Sequence, residues 1–270
     1  MVLAPGLEVE ETEVPLEQPV LRVQSVCKEY NNGTLALDDT TFTVMPGEFV
    51  SIVGASGCGK STLLRIIAGL GDATDGTVLV DGLPPSQARK VGDEMTYVFQ
   101  EPTLLPWRTV LDNVALPLEL RGVAKKEREE AVRDALGLVG LTGSEGLYPR
   151  ELSGGMKMRA SLARALAMNP RLLLMDEPFG ALDEITRQRL NEELLRIWQN
   201  DKRTVIFVTH SVFEATFLST RVLVMRRRPG RIVEDLAIEL PSPRNDDTRM
   251  TVPFMEQAAR VSQALRRAGE

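Results

Sequence analysis

Residues 54–61 read Gly54-Ala55-Ser56-Gly57-Cys58-Gly59-Lys60-Ser61, and no other stretch restricts the possible folds of this chain so strongly. The segment satisfies G-x-x-x-x-G-K-[ST] in full. Its surroundings also match. Phe49–Gly54 is a short continuous apolar run, as expected of a buried parallel strand. A helix is expected at once afterwards, from Ser61 to Gly69, with Leu63, Leu64, Ile66, Ile67 and Leu70 on its buried side. A strand, a glycine loop and a helix start let backbone N–H groups close around a phosphate chain at the positive end of the helix dipole. In that geometry Lys60 reaches the β- and γ-phosphates and Ser61 ligates Mg²⁺.

Two further segments carry chemistry. Leu172–Phe179 is an apolar strand that ends in adjacent carboxylates, Asp176 and Glu177. Alternation sends their side chains in different directions. Asp176 is then placed to serve Mg²⁺ through water, and Glu177 to act as general base on the attacking water. Leu152–Met156 reads Leu-Ser-Gly-Gly-Met just before an expected helix. Ser153, Gly154 and Gly155 form a second anion-binding geometry there, although a plain Ser N-cap has the same local signature.

The rest of the chain frames these motifs. Strand patterns with turn signals run from Val20 through Gly82, and residues 108–170 read helical. A helix from Asp183 to Gln199 separates the acidic strand from another buried strand, Thr204–His210. Alternation of this kind indicates a parallel α/β sheet. Thirty-two basic against 38 acidic residues give a net charge of −6, which argues against a nucleic-acid partner. The two cysteines, Cys27 and Cys58, make neither a disulfide framework nor a zinc site and fit a reducing compartment. No apolar run approaches the roughly 20 residues needed to cross a bilayer, and no secretory signal is expected. Residues 1–19, rich in Glu and Pro, read as a disordered acidic leader. Arg226–Arg228 before Pro229-Gly230 reads as a solvated hairpin, and Phe254, Ala258, Val261 and Leu265 as one face of a C-terminal helix.

In order along the chain stand Tyr30, the glycine loop, Gln100 closing TYVFQ, LSGG, the acidic strand, Asp183 in GALD, and His210 ending VTH. With these in place, residues 20–240 resemble the ATP-binding subunit of an ABC transporter. The phrases EPTLLPWRTVLDNVALPLEL and MRRRPGRIVEDLAIELPSPR resemble the nitrate/sulfonate/taurine (bicarbonate) importer group.

The resemblance implies an α/β P-loop NTPase fold of the ABC type. Its parts are a mainly parallel core sheet, an antiparallel β subdomain and a helical subdomain near residues 103–165, within a domain spanning 20–243 and followed by a helical tail, 244–270. It implies ATP and Mg²⁺ as ligands. Tyr30 would stack on adenine, and residues Gly54 to Thr62 would wrap the phosphates. Ser61, Gln100 and Asp176 would serve the metal. Glu177, His210, Gln100 and Lys60 would carry catalysis. Ser153, Gly154 and Gly155 would bind the γ-phosphate held by a second subunit, either identical or a sister, and Asp183 would link the two sites. The family pattern has Gln where this chain has Met156, which puts an amide contact to nucleotide in doubt and not the cradle. Implied partners are transmembrane permease subunits and an extracytoplasmic solute-binding protein, with the chain peripheral on the cytoplasmic face of the inner membrane. An ABC ATPase of lipid or division machinery, or a soluble one, is the alternative.

Overall fold

Phe49, Ser51 and Val53 face one way along a strand, and Val50 and Ile52 the other, yet all five are buried. Such a strand needs packing on both faces, and the architecture follows from that need. The computed structural model describes residues 18–91 and 95–269; the leader expected over 1–19 lies outside the described residues except for Gln18 and Pro19.

Along the chain come β1 (Leu21–Glu29), β2 (Leu35–Val44), β3 (Phe49–Gly54), α1 (Lys60–Ile67), β4 (Asp75–Val80), α2 (Pro85–Val91) and β5 (Met95–Val98). Three helices follow: α3 (Val110–Leu120), α4 (Lys125–Leu138) and α5 (Gly154–Leu166). The chain then returns to the sheet through β6 (Leu172–Asp176), α6 (Glu184–Asp201), β7 (Thr204–Thr209), α7 (Val212–Leu218), β8 (Arg221–Arg226) and β9 (Arg231–Ala237), and ends in α8 (Val252–Gly269).

The strands form two sheets. One is antiparallel, in the order β2-β1-β4; the other runs β5-β6-β7-β3-β8-β9, parallel except for its last pair. Val50, Ile52, Leu172, Leu174, Ile206 and Val208 point to α1 and the antiparallel sheet. Phe49, Leu173, Met175, Val205 and Phe207 point to the opposite layer, which α3 to α6 cover. Val53, Val222 and Val224 meet Val261 and Ala264 of α8. The fold is therefore the α/β arrangement expected, with a mainly parallel core and an antiparallel sheet beside it.

This order brings the carboxyl ends of β3, β6 and β7 side by side, because β7 pairs with both of the others. Ligands bind in open α/β sheets at such ends. Arg226, Arg227 and Arg228 lie exposed at the β8–β9 turn, as read from the sequence. In α8, Phe254, Ala258, Val261 and Ala264 are buried while Leu265 is half-buried, so the helical face is displaced by one residue at its end.

Leu70 is a correction. It is 47% exposed and does not share the buried face of α1. The helix stops at Ile67, and Gly69 takes φ +63°, so the chain turns before Leu70 and carries it off the helical stripe. Of the large apolar residues in the loop before α3, Leu104 packs on the core, Leu105 is half-buried and Trp107 is strongly exposed, at 71%.

Candidate nucleotide site

The loop between β3 and α1 depends on backbone shapes that side chains resist. Gly57 has φ +74° and Gly59 φ +99°. Because the N-cap of α1 is Gly59, no side chain caps the helix. The first-turn amides of Lys60, Ser61 and Thr62 thus remain available to an anion. Ala55, Ser56 and Gly57 are exposed at the mouth of the loop, while Cys58 turns inward. Burial pushes the Cys58 thiol up, against the pull of Lys60, and its sulfur takes no part in the exposed face.

Lys60 is only 4% exposed. Its ammonium donates to the carbonyl oxygens of Gly54 at 3.0 Å and Ala55 at 3.3 Å and lies 3.5 Å from Glu177 Oε1. The other Glu177 oxygen lies 3.2 Å from His210 Nδ1. Glu177 leaves β6 in the left-handed region, φ +45°, which separates its direction from that of Asp176. Asp176 is instead bound by the Ser61 hydroxyl, which donates to Oδ1 at 2.8 Å, and by the Tyr97 hydroxyl, which donates to Oδ2 at 2.9 Å. The adjacent carboxylates therefore face different partners, as expected, but the cause is the left-handed backbone at Glu177, just past the end of β6, and not alternation along the strand.

Gln100 and His210 converge over Gly180. A Cβ built there would lie 3.7 Å from Gln100 Nε2 and 3.8 Å from His210 Cε1. A buried polar cluster fixes the turn that carries His210. Thr209 donates its hydroxyl to Glu214, accepts the Ser211 amide at 3.0 Å, and Arg187 lies 3.8 Å from the same glutamate. Tyr30 stands at the other end of the loop with its hydroxyl 3.0 Å from that of Thr62, its ring 44% exposed.

One predicted group lies apart. Ser153 caps α5 by accepting the Met156 amide at 3.2 Å, and a Cβ on Gly155 would come within 2.6 Å of Thr186. This segment is thus packed on the start of α6, where Asp183 caps by accepting the Thr186 amide at 3.0 Å; that amide holds the Asp183 carboxyl below its ordinary range. Among the described residues no hydrogen bond or ion pair joins residues 153–155 to the loop 54–61.

Two residues of the site were missed by motif reading. Tyr97 lies inside TYVFQ but carries no motif of its own. Gly230 read only as a turn. A Cβ on Gly230 would fall 2.1 Å from the Cys58 carbonyl oxygen and 2.7 Å from that of Ala36. Its own amide donates to Ala36 at 3.1 Å. The β8–β9 turn thus buttresses the glycine loop from behind. Gly230→Ala is expected to destabilise the protein by about 1–3 kcal/mol, the range for overpacking, and to weaken ADP binding. Thermal melting and an ADP titration check this; wild-type values in both would show that the loop can yield.

The set of groups fits a magnesium nucleotide: exposed amides and a buried ammonium for phosphates, and Ser, Asp and Gln oxygens of the hard type that Mg²⁺ prefers. The comparisons agree. The ABC transporter family profile matches residues 37–180. A taurine import ATP-binding protein of Rhizobium johnstonii is 50% identical, over 76% of this chain and 77% of its own length. A nitrate import ATP-binding protein of Synechocystis is 45% identical, over 87% and 89%. Among solved structures, a dimeric ATP-binding cassette in a post-hydrolysis state with ADP and Pi superposes with a TM-score of 0.73 at 32% identity, covering 82% of this chain and all of that one.

Proposed function

Because the chain belongs to the ABC transporter ATP-binding family, we propose that it binds and hydrolyses ATP to drive import of a small anion through separate membrane subunits. It is an ATPase of the ABC type and works as a dimer. The anion class, nitrate, sulfonate, taurine or bicarbonate, rests on the importer relatives. No helix among the described residues is long and apolar enough to cross a membrane. The proposed place is therefore peripheral, at the cytoplasmic face, with permease subunits and an extracytoplasmic solute-binding protein completing the complex.

What supports this reading most is Glu177, held between Lys60 at 3.5 Å and His210 at 3.2 Å at the mouth of the glycine loop. ATP phosphates would take over the uncapped first-turn amides of Lys60, Ser61 and Thr62 and the Lys60 ammonium. Tyr30, 44% exposed, would stack its ring on adenine from the face away from Lys28, whose ammonium lies 5.5 Å from the ring centroid. Ser61, Asp176 and Gln100 would hold Mg²⁺, whose chemistry is to neutralise charge on the β- and γ-oxygens. Glu177 then accepts the proton of the attacking water, and His210, fixed beside it, orients that carboxylate and meets the γ-phosphate. Ser153, Gly154 and Gly155 would complete the site of the partner subunit, and Asp183 would lie at the same junction. The test is reconstitution in vesicles with the membrane and solute-binding subunits that co-purify with the chain. ATP-dependent uptake of one of the four anions is expected; uptake of none, with ATPase stimulated instead by another solute class, overturns the anion assignment.

The site for the membrane subunits is proposed at Trp107. Its loop is built rigid: buried Asn113 donates to the carbonyls of Leu105 at 3.1 Å, Arg108 at 3.0 Å and Thr109 at 2.9 Å, and accepts the Leu105 amide at 2.7 Å. A pinned loop that displays a 71% exposed Trp suits an interface anchor. Trp107→Ala is expected to leave melting temperature and ATP binding unchanged while weakening assembly by about 2 kcal/mol or more. Loss of the isolated subunit's own stability, with normal assembly, would sink the anchor.

A further inference from the structure

Asp176 is 8% exposed and receives hydrogen bonds at both oxygens. One donor, Ser61, belongs to the glycine loop. The other, Tyr97, belongs to β5, on the far side of β6, where it pairs in register with Leu174. A buried carboxylate bound at one oxygen only is free to rotate about its last bond. Bound at both, its plane is fixed.

The Tyr97 ring is itself braced. Phe99 packs on it with ring centroids 4.5 Å apart and planes at 44°. Both rings line a largely apolar groove of about 490 Å³ together with Leu116, Pro117, Leu120 and Met168. Among the described residues Phe99 has its aromatic contact with Tyr97 and no hydrogen bond or ring contact with the glycine loop.

We propose that Tyr97 is a positioning residue for the metal: its hydroxyl holds Asp176 Oδ2 so that Oδ1 stays on the Ser61 side, and Phe99 holds the ring that carries the hydroxyl. The proposal rests on the assignment of Asp176 to Mg²⁺ made above. It assigns no contact between Tyr97 and nucleotide. Outer hydrogen bonds to metal-holding groups are worth roughly 10–100-fold in metal affinity.

The test uses the full-length chain and ADP, which is not turned over. ADP affinity is measured with Mg²⁺ and with a chelator, and the ratio of the two gives the gain due to metal. Tyr97→Phe, which keeps the ring and the fold, is expected to cut this gain roughly tenfold, the low end of that range, and to leave metal-free ADP affinity within about twofold. Phe99→Ala is expected to cut it by a smaller factor. Asp176→Asn is the reference and is expected to remove most of the gain. If Asp176→Asn lowers the gain and Tyr97→Phe does not, the positioning role is overturned. If Tyr97→Phe weakens metal-free ADP binding as much as MgADP binding, Tyr97 is a structural residue and the proposal is equally overturned. If Asp176→Asn itself leaves the gain intact, the metal assignment falls and the proposal falls with it. A gain unchanged in Phe99→Ala alone removes the bracing role of Phe99.

Discussion

Replacing Glu177 by Gln is expected to lower steady-state ATP turnover by at least about 10²-fold, since a positioned general base contributes 10²–10⁴-fold. The amide keeps the size of the side chain and tolerates the left-handed backbone at this position about as well as Glu does, so the fold should not change. It cannot take a proton from water. The geometry also says what should survive. Lys60 keeps both loop carbonyls when the Glu177 charge is removed, at 3.0 and 3.3 Å, and its ammonium is released from an ion pair that competes with phosphate. ATP binding is therefore expected to be retained or slightly improved. With hydrolysis blocked, the ATP-bound closed dimer should accumulate, visible as a shift to dimer by size-exclusion chromatography in ATP and not in ADP. Turnover in the assembled complex within a few-fold of wild type would remove Glu177 from the mechanism.

The second large effect concerns the separation of Ser153–Gly155 from the loop of the same chain. If those residues complete the site of a partner, damage to them and damage to the loop must behave differently. Ser153→Arg puts bulk and charge where the partner's γ-phosphate would approach. It also removes the cap on α5, at a cost of about 1 kcal/mol, which is small enough for the isolated subunit to remain folded. Nucleotide binding by that subunit is expected to be near wild type, and hydrolysis to fall by about 10²–10³-fold, as when a single donor to a developing charge is lost. Lys60→Ala removes the buried ammonium itself. It is expected to weaken ATP binding by about tenfold or more, from the loss of charge-assisted hydrogen bonds. A mixed dimer with one change in each subunit pairs the sound loop of one with the sound Ser153 segment of the other. It should regain one intact site, and with it activity above that of either parent. Abolition of nucleotide binding in isolated Ser153→Arg subunits would place the segment in its own chain's site and end the cross-subunit assignment.

The glycine loop, the buried strands on either side of it and the helix cap at Ser153 were legible in the sequence, because each is settled by residues a few positions apart. A left-handed backbone demands glycine locally, a strand covered on both faces must be apolar throughout, and an N-cap acts on an amide three residues on. That Asp176 and Glu177 take different partners was also legible, but its cause is the left-handed backbone at Glu177 and not alternation along a strand that ends at Asp176. Tertiary structure alone decided that β7 would lie between β3 and β6 and so deliver His210 to Glu177 across the carboxyl ends of those strands. It decided that Leu70 would turn outward and Leu104 inward, that Gly230 would stand behind Cys58, and that Tyr97 would reach Asp176 from 79 positions away. These are packing outcomes between segments distant in the chain. Periodicity reports which side of an element is apolar, but the neighbour that covers it is chosen by how crossovers and layers close around the common core.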